Sequence, residues 1–153
     1  MSLTPLLLIT KDPSHPLAHL ALRYARTVLA QAELVDATTD DNATDYSDKN
    51  EGSKDDTPPL RLFFYADAAN IANRLRWQSA DQTDLTQEWQ ALAKKYQLAL
   101  PVCVSTALSR GISDMDNSTR HQLHGDNLAT GFNLVGLSEL ALMMQGDSRL
   151  LQF

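Results

Sequence analysis

The sequence has 153 residues, 43% of them hydrophobic, and a formal net charge of −6 at pH 7. This length predicts one domain, residues 1–153, and no apolar run approaches the roughly 20 residues of a membrane-spanning helix. The first residues lack the basic segment that opens a signal peptide. A single cysteine without an export signal predicts a cytoplasmic protein, because disulfide frameworks are typical of secreted chains.

The negative charge is local. Residues 36–59 contain eight acidic and two basic residues, and the rest of the chain is neutral. A neutral body does not provide the Lys and Arg that neutralise phosphates, so no direct nucleic-acid partner is expected. The acidic segment has almost no aliphatic content, which predicts a disordered insertion. Its spacing does not match a calcium-binding loop, so a solvated loop is favoured over a metal site.

Strand and helix patterns alternate along the chain. A short apolar strand at Leu6–Ile9 precedes an amphipathic helix from Leu17 to about Gln31. The second strand is Leu60–Tyr65, and Ala68 to about Trp77 is predicted to be helical in part. Asp84 is a predicted N-cap of a helix that ends near Tyr96 and buries a stripe containing Leu85 and Trp89.

The last third of the chain continues this alternation. The predicted elements are a strand at Leu100–Val104, helices at Ser105–Gly111, Asp116–His124 and Gly136–Gln145, and a final strand at Arg149–Phe153. The third of these helices is expected to turn four residues inward: Leu137, Leu140, Ala141 and Met144. Alternating strands and helices predict an α/β fold, with a mostly parallel sheet between helices on both faces.

Cys103 is the main candidate for chemistry. It lies where a buried strand meets a helix that Ser105 or Thr106 would cap. Unpaired backbone N–H groups near a helix start favour the thiolate, which is the nucleophilic form. Ligand sites in such sheets gather at the carboxyl ends of strands, which agrees with a functional cysteine. The alternative is a buried structural cysteine.

Other candidate sites carry weaker signals. His121 and His124 are too few for a zinc site, and polar surface histidines are the favoured interpretation. Neither a dinucleotide fingerprint nor a Walker lysine motif is present. No cofactor and no metal are therefore expected.

Three blocks together resemble the TusD family of DsrE-like subunits in the bacterial Tus sulfur relay. Leu62–Tyr65 with Ala66–Asn73 is similar to the family's second strand and Asn-Ala-Asn-like loop. Val102–Asp114 is similar to its block Cys-Val-x-x-Ala-x-x-Arg-Gly. The segment from Asn127 to Leu137, with Arg149–Phe153, is similar to its closing helix and last strand. The resemblance covers residues 3–31 and 60–153, and the loop Thr10–Pro16 departs from the family pattern.

The resemblance implies a three-layer DsrE-like fold and a persulfide on Cys103. It also implies a hetero-hexamer with TusB-like and TusC-like subunits, a TusA-like sulfur donor and a TusE-like acceptor. The end product would be 2-thiouridine at the tRNA wobble position. A subunit for sulfur oxidation and a non-catalytic scaffold subunit with a structural cysteine remain alternatives.

In addition to Cys103, four side chains are candidate site residues. By its match to the family's Arg-Gly, Arg110 is a candidate to stabilise a thiolate or persulfide anion; the favoured alternative is that it binds carbonyls at the helix end. Asn70, Asn73 and Trp77 are candidates to line a pocket or a subunit interface, and Trp77 is equally consistent with core. The charge-poor segment from Asn127 to Met144 is expected to contribute to an interface, with ordinary core as the alternative.

Overall fold

The computed structural model of the chain describes residues 3–39 and 58–153. Five strands form one sheet: β1 (Thr4–Ile9), β2 (Arg61–Phe64), β3 (Leu100–Cys103), β4 (Phe132–Val135) and β5 (Ser148–Gln152). Their order is β4-β3-β2-β1-β5, and every pairing of neighbouring strands in this sheet is parallel. The predicted three-layer α/β fold is confirmed. The strand β4 was not predicted.

The helices follow the predicted order with shifted ends. They are α1 (Pro16–Thr39), a 3-10 helix (Ala66–Ala72), α2 (Leu85–Tyr96), α3 (Val104–Leu108), α4 (Met115–Arg120) and α5 (Leu137–Met144). Helix α1 continues eight residues past its predicted end at Gln31 and includes the first four residues of the acidic segment. Residues 40–57 of that predicted disordered insertion lie outside the described residues, and residues 58 and 59 are described.

One face of the sheet carries the main core. Side chains of a strand alternate between its two faces, and one set from β1, β2 and β3 packs against α1 and α2: Leu7, Ile9, Leu62, Phe64, Leu100 and Val102. Phe64 is central, since its ring makes edge contacts at 5.5 Å with both Trp89 and Phe132. Leu6, Phe63 and Cys103 alternate to the opposite face and are also buried.

Helix α5 lies on that opposite face and leaves much of its own surface open. Arg61 of β2 donates to the carbonyl of Met143 at 3.5 Å, and a groove of about 480 Å³ separates α5 from the start of β2 and β3. The expectation that α5 turns Leu137 and Met144 inward is wrong, because these side chains are 48% and 50% exposed. Ala141 is exposed as well, and Leu140 is half-buried.

The start of α2 supplies a test of local stability. The Asp84 side chain accepts hydrogen bonds from the backbone N–H groups of Thr86 and Gln87, as its predicted capping role requires. We expect Asp84→Ala to lower the free energy of unfolding by about 1 kcal/mol, a typical cost of losing an N-cap. Urea unfolding measures this, with Asp81→Ala in the exposed preceding loop as the matched control. Equal stability of the two variants would contradict the capping role.

Candidate functional site

The candidate site lies at the carboxyl ends of the parallel strands. Cys103 is the last residue of β3 and pairs with Val135 of β4. It also occupies the N-cap position of α3. The expectation that Ser105 or Thr106 caps this helix is therefore wrong: α3 begins at Val104, one residue earlier than predicted, and both side chains fall inside it.

Both side chains instead contact Cys103. The Ser105 Oγ lies 3.3 Å from the Cys103 Sγ, and the Thr106 hydroxyl donates to the Cys103 carbonyl at 3.2 Å. Burial of the thiol raises its pKa. Hydrogen bonds from the Ser105 side chain and from the backbone and side chain of Thr106 lower it further than burial raises it, so the pKa lies below that of an ordinary cysteine.

The thiol is nevertheless covered. Cys103 is unpaired and 1% exposed, whereas Ser105 is exposed. Burial of the cysteine is the property that the structural alternative predicts. The lowered pKa is the property that a nucleophile needs. The site thus combines a thiol whose pKa is lowered with restricted access to that thiol.

Arg110 reaches a different set of partners. Its guanidinium donates to the Asp67 carboxylate at 2.8 Å and to the Thr106 carbonyl at 3.0 Å. It also contacts the Ser109 hydroxyl at 3.2 Å. The carbonyl contact is the one expected of an arginine at a helix end. A role in stabilising a sulfur anion stays a prediction.

Asn70 connects the loops after β1 and β2. Its side-chain amide donates to Asp12 at 3.0 Å, and the Ser14 backbone and hydroxyl donate to the same carboxylate. Burial raises the Asp12 pKa, but the hydrogen bonds from Ser14 and Asn70 and the charge of Arg76 lower it below the usual value. Asn70 therefore positions a carboxylate at the edge that holds Cys103.

Asn73 connects the loop after the 3-10 helix to the loop before β4. Its side-chain oxygen accepts from the Leu75 backbone at 2.9 Å and from Asn127 at 3.2 Å, and Asn127 donates in turn to the Gly111 carbonyl. Trp77 follows in the same loop and is 83% exposed, so the core interpretation of this residue is wrong. Neither asparagine nor Arg110 forms a side-chain hydrogen bond to Cys103 within the described parts of the chain.

Several site residues were not predicted in these roles. The sequence pattern predicts Ser105 as a helix cap, whereas the structure places its hydroxyl against the Cys103 thiol. Asp67 and Asn127 act through contacts with residues far along the chain, at separations of 43 and 54 residues. A single sequence carries no signal for such pairs. Asp12 lies in the loop where the family pattern fails.

The family of the chain follows from comparison with known proteins. The model of the DsrE/DsrF-like family matches residues 6–153, from β1 to the end of β5. The chain belongs to the DsrE/DsrF-like family. The resemblance seen in the three sequence blocks is confirmed, and the DsrE/DsrF-like match includes the whole candidate site.

Several similar proteins are named sulfurtransferase TusD or TusD homologue. The sulfurtransferase TusD of Pectobacterium atrosepticum is 44% identical over 92 residues, which cover 60% of this chain and 71% of the relative. The TusD homologue of Vibrio parahaemolyticus is 42% identical over 94 residues, or 61% and 72% of the two chains. The TusD of Sodalis glossinidius is 40% identical over 92 residues, or 60% and 71%.

A solved structure shares the fold. The crystal structure of the ychN protein from E. coli covers 100% of both chains with a TM-score of 0.66 and 18% sequence identity. This similarity supports the fold of the DsrE/DsrF-like chain. Within residues 3–39 and 58–153, no helix is both long and apolar enough to cross a membrane. Over the same residues, no group of three or more His, Cys, Asp or Glu side chains is arranged to hold a metal ion.

Proposed function

We propose that this chain is a sulfurtransferase that carries sulfur as a persulfide on Cys103. The Cys103 thiolate attacks the terminal sulfur of a donor's persulfide. The donor's S–S bond breaks, its electron pair leaves with the donor's thiolate, and Cys103 becomes Cys103–S–SH. An acceptor thiolate then attacks the outer sulfur and restores the Cys103 thiolate. Thiol exchange of this kind requires no metal or organic cofactor.

The observation that carries the proposal is the setting of Cys103. A thiol whose pKa is lowered by hydrogen bonds from Ser105 and Thr106 stands at the carboxyl end of a central strand. Low-pKa cysteines are the ones that act as nucleophiles. The carboxyl edge is where parallel α/β sheets bind ligands.

We further propose a place in the Tus relay, in the cytoplasm. The chain would take sulfur from a TusA-like donor and pass it to a TusE-like acceptor, toward 2-thiouridine at the tRNA wobble position. The TusD names of relatives that are 40–44% identical support this relay over the sulfur-oxidation alternative. The chain would act without binding RNA directly, since the net charge outside residues 36–59 is zero.

A scaffold subunit with a structural cysteine is the second candidate, because Cys103 is 1% exposed. Alkylation of the native protein by iodoacetamide separates the two functions. A carrier has a thiol that reacts without unfolding, at a rate that rises with the thiolate fraction. A scaffold subunit reacts only when denaturant opens the fold. The same reaction in guanidinium chloride gives the reference rate for each preparation.

The open face of α5 supports a hetero-hexamer with TusB-like and TusC-like subunits. The helix has no buried residue, and its exposed apolar side chains continue onto β5 at the sheet edge: Leu137, Leu142, Met144 and Leu150. Exposed apolar surface that is poor in charge is typical of the centre of a protein interface. We propose that paralogous subunits cover this face.

We expect Leu142→Glu to weaken this association by about tenfold or more, because a buried charge would replace an apolar contact. Leu142 is 61% exposed in the single chain, so the substitution should leave its own stability unchanged. Leu34→Glu is the matched control, at 69% exposure on α1. Co-purification with the paralogues, followed by light scattering, measures the assembly. Normal assembly of the Leu142→Glu variant would exclude α5 from the interface.

A further inference from the structure

The contact between Ser105 and Cys103 joins the side chain of an exposed residue to a covered thiol. The two residues are separated by one position in the chain, and the Oγ–Sγ distance of 3.3 Å is within hydrogen-bonding range for sulfur. Cys103 is 1% exposed while Ser105 is exposed. Ser105 therefore contacts the thiol from a position that solvent also reaches.

We propose that Ser105 is a positioning residue for sulfur transfer: its hydroxyl donates a hydrogen bond to the Cys103 thiolate and stabilises it as the leaving group of the release step. This inference rests on the proposed persulfide chemistry. In the loading step the thiolate gives up its negative charge as it bonds the incoming sulfur. In the release step the S–S bond breaks and its electron pair returns to the Cys103 Sγ, where the hydroxyl stabilises it. A thiol of lower pKa leaves faster.

The charged groups around this pair have other partners, so hydrogen bonds from Ser105 and Thr106 are what stabilise the thiolate. The 3-10 helix packed against α3 carries Asp67, and Asp67 pairs with Arg110 at 2.8 Å. Strand β4 and helix α3 contain no ionisable side chain, and Tyr65 directly follows β2. On β2, Arg61 is at the opposite end and bonds to Met143. Burial opposes the thiolate, so a donor in direct contact has a large effect.

The rate of alkylation by iodoacetamide against pH tests the inference. For Ser105→Ala we expect the midpoint of the pH profile to rise by about one unit, which is a tenfold smaller thiolate fraction below the midpoint. Ser105→Thr keeps a hydroxyl and should restore the wild-type midpoint. Ser109→Ala is the control, because Ser109 lies past the end of α3 and bonds the Thr106 carbonyl instead. A wild-type midpoint in Ser105→Ala would overturn the inference.

Single-turnover transfer separates this inference from the proposed function. Glutathione persulfide serves as donor and dithiothreitol as acceptor, at a pH above both midpoints. We expect Ser105→Ala to load sulfur at least as fast as the wild type, because a more basic thiolate is the stronger nucleophile. We expect it to release sulfur several-fold more slowly, because its leaving thiolate is also more basic. Equal release rates would overturn the role of Ser105. Failure of the wild type to load sulfur would instead overturn the proposed function, whereas equal release rates in a wild type that does load would overturn only the role of Ser105.

Discussion

Cys103→Ser is expected to reduce sulfur loading to background. A hydroxyl does not hold a transferable sulfur atom, and no other cysteine in the chain can replace the thiol. The substitution changes little volume, so the fold should persist, and circular dichroism checks this. Incubation with glutathione persulfide, followed by intact-mass analysis, measures loading as a gain of about 32 Da per sulfur atom.

The matched control for this variant is Ser109→Ala, which leaves the thiol and its contacts in place. It should load sulfur as the wild type does. A wild-type gain in mass in Cys103→Ser would show that sulfur binds elsewhere. The proposed carrier role would then be wrong.

Phe64→Ala is expected to lower the free energy of unfolding by about 3–5 kcal/mol, the usual cost of emptying a buried aromatic site. Phe64 is fully buried, contacts the rings of Trp89 and Phe132, and pairs with Val102, the residue before Cys103 in β3. For a chain of this size the melting temperature should fall by roughly 10 °C. Urea unfolding and calorimetry measure both quantities.

An exposed leucine supplies the control for the core variant. Leu75 is 69% exposed in the loop after the 3-10 helix, so Leu75→Ala should change stability by less than about 0.5 kcal/mol. Similar stabilities of Phe64→Ala and Leu75→Ala would contradict the central place of Phe64 in the core.

Local signals in the sequence predicted α2 well. Asp84 caps the helix, and its apolar spacing buries Leu85 and Trp89, because these patterns depend on neighbours a few residues away. The end of α1 depended on weaker signals, and the helix continues through Leu34 to Thr39. Strand β4 has four residues and only Phe132 is buried, so its apolar pattern was too short to identify it.

The site was predicted in part for the same reason. Cys103 and its place at the end of β3 followed from a local pattern of apolar residues before a helix start. Helix α3 begins at Val104, one residue earlier than predicted. For this reason Ser105 and Thr106 lie inside the helix and contact Cys103 instead of capping the helix. The pairing of Arg110 with Asp67 depends on how the fold brings β2 beside β3, and no local pattern reports it.

The predicted inward face of α5 shows a different limit of prediction from sequence. Its spacing of apolar residues is correct for a helix that packs against a core, yet the structure leaves Leu137, Ala141 and Met144 of the predicted inward face exposed. Periodicity identifies an apolar stripe but does not say whether the same chain or another one covers it. The proposed hetero-hexamer would supply that cover.

The most direct test of the carrier role is to locate the sulfur. The native wild-type protein is incubated with glutathione persulfide, its free thiols and persulfides are capped with iodoacetamide, and the peptides are mapped by mass spectrometry. The proposed function predicts an additional mass of about 32 Da on the peptide that contains Cys103. A Cys103 peptide without added sulfur, in a protein that remains folded and reacts with iodoacetamide at Cys103, would contradict it.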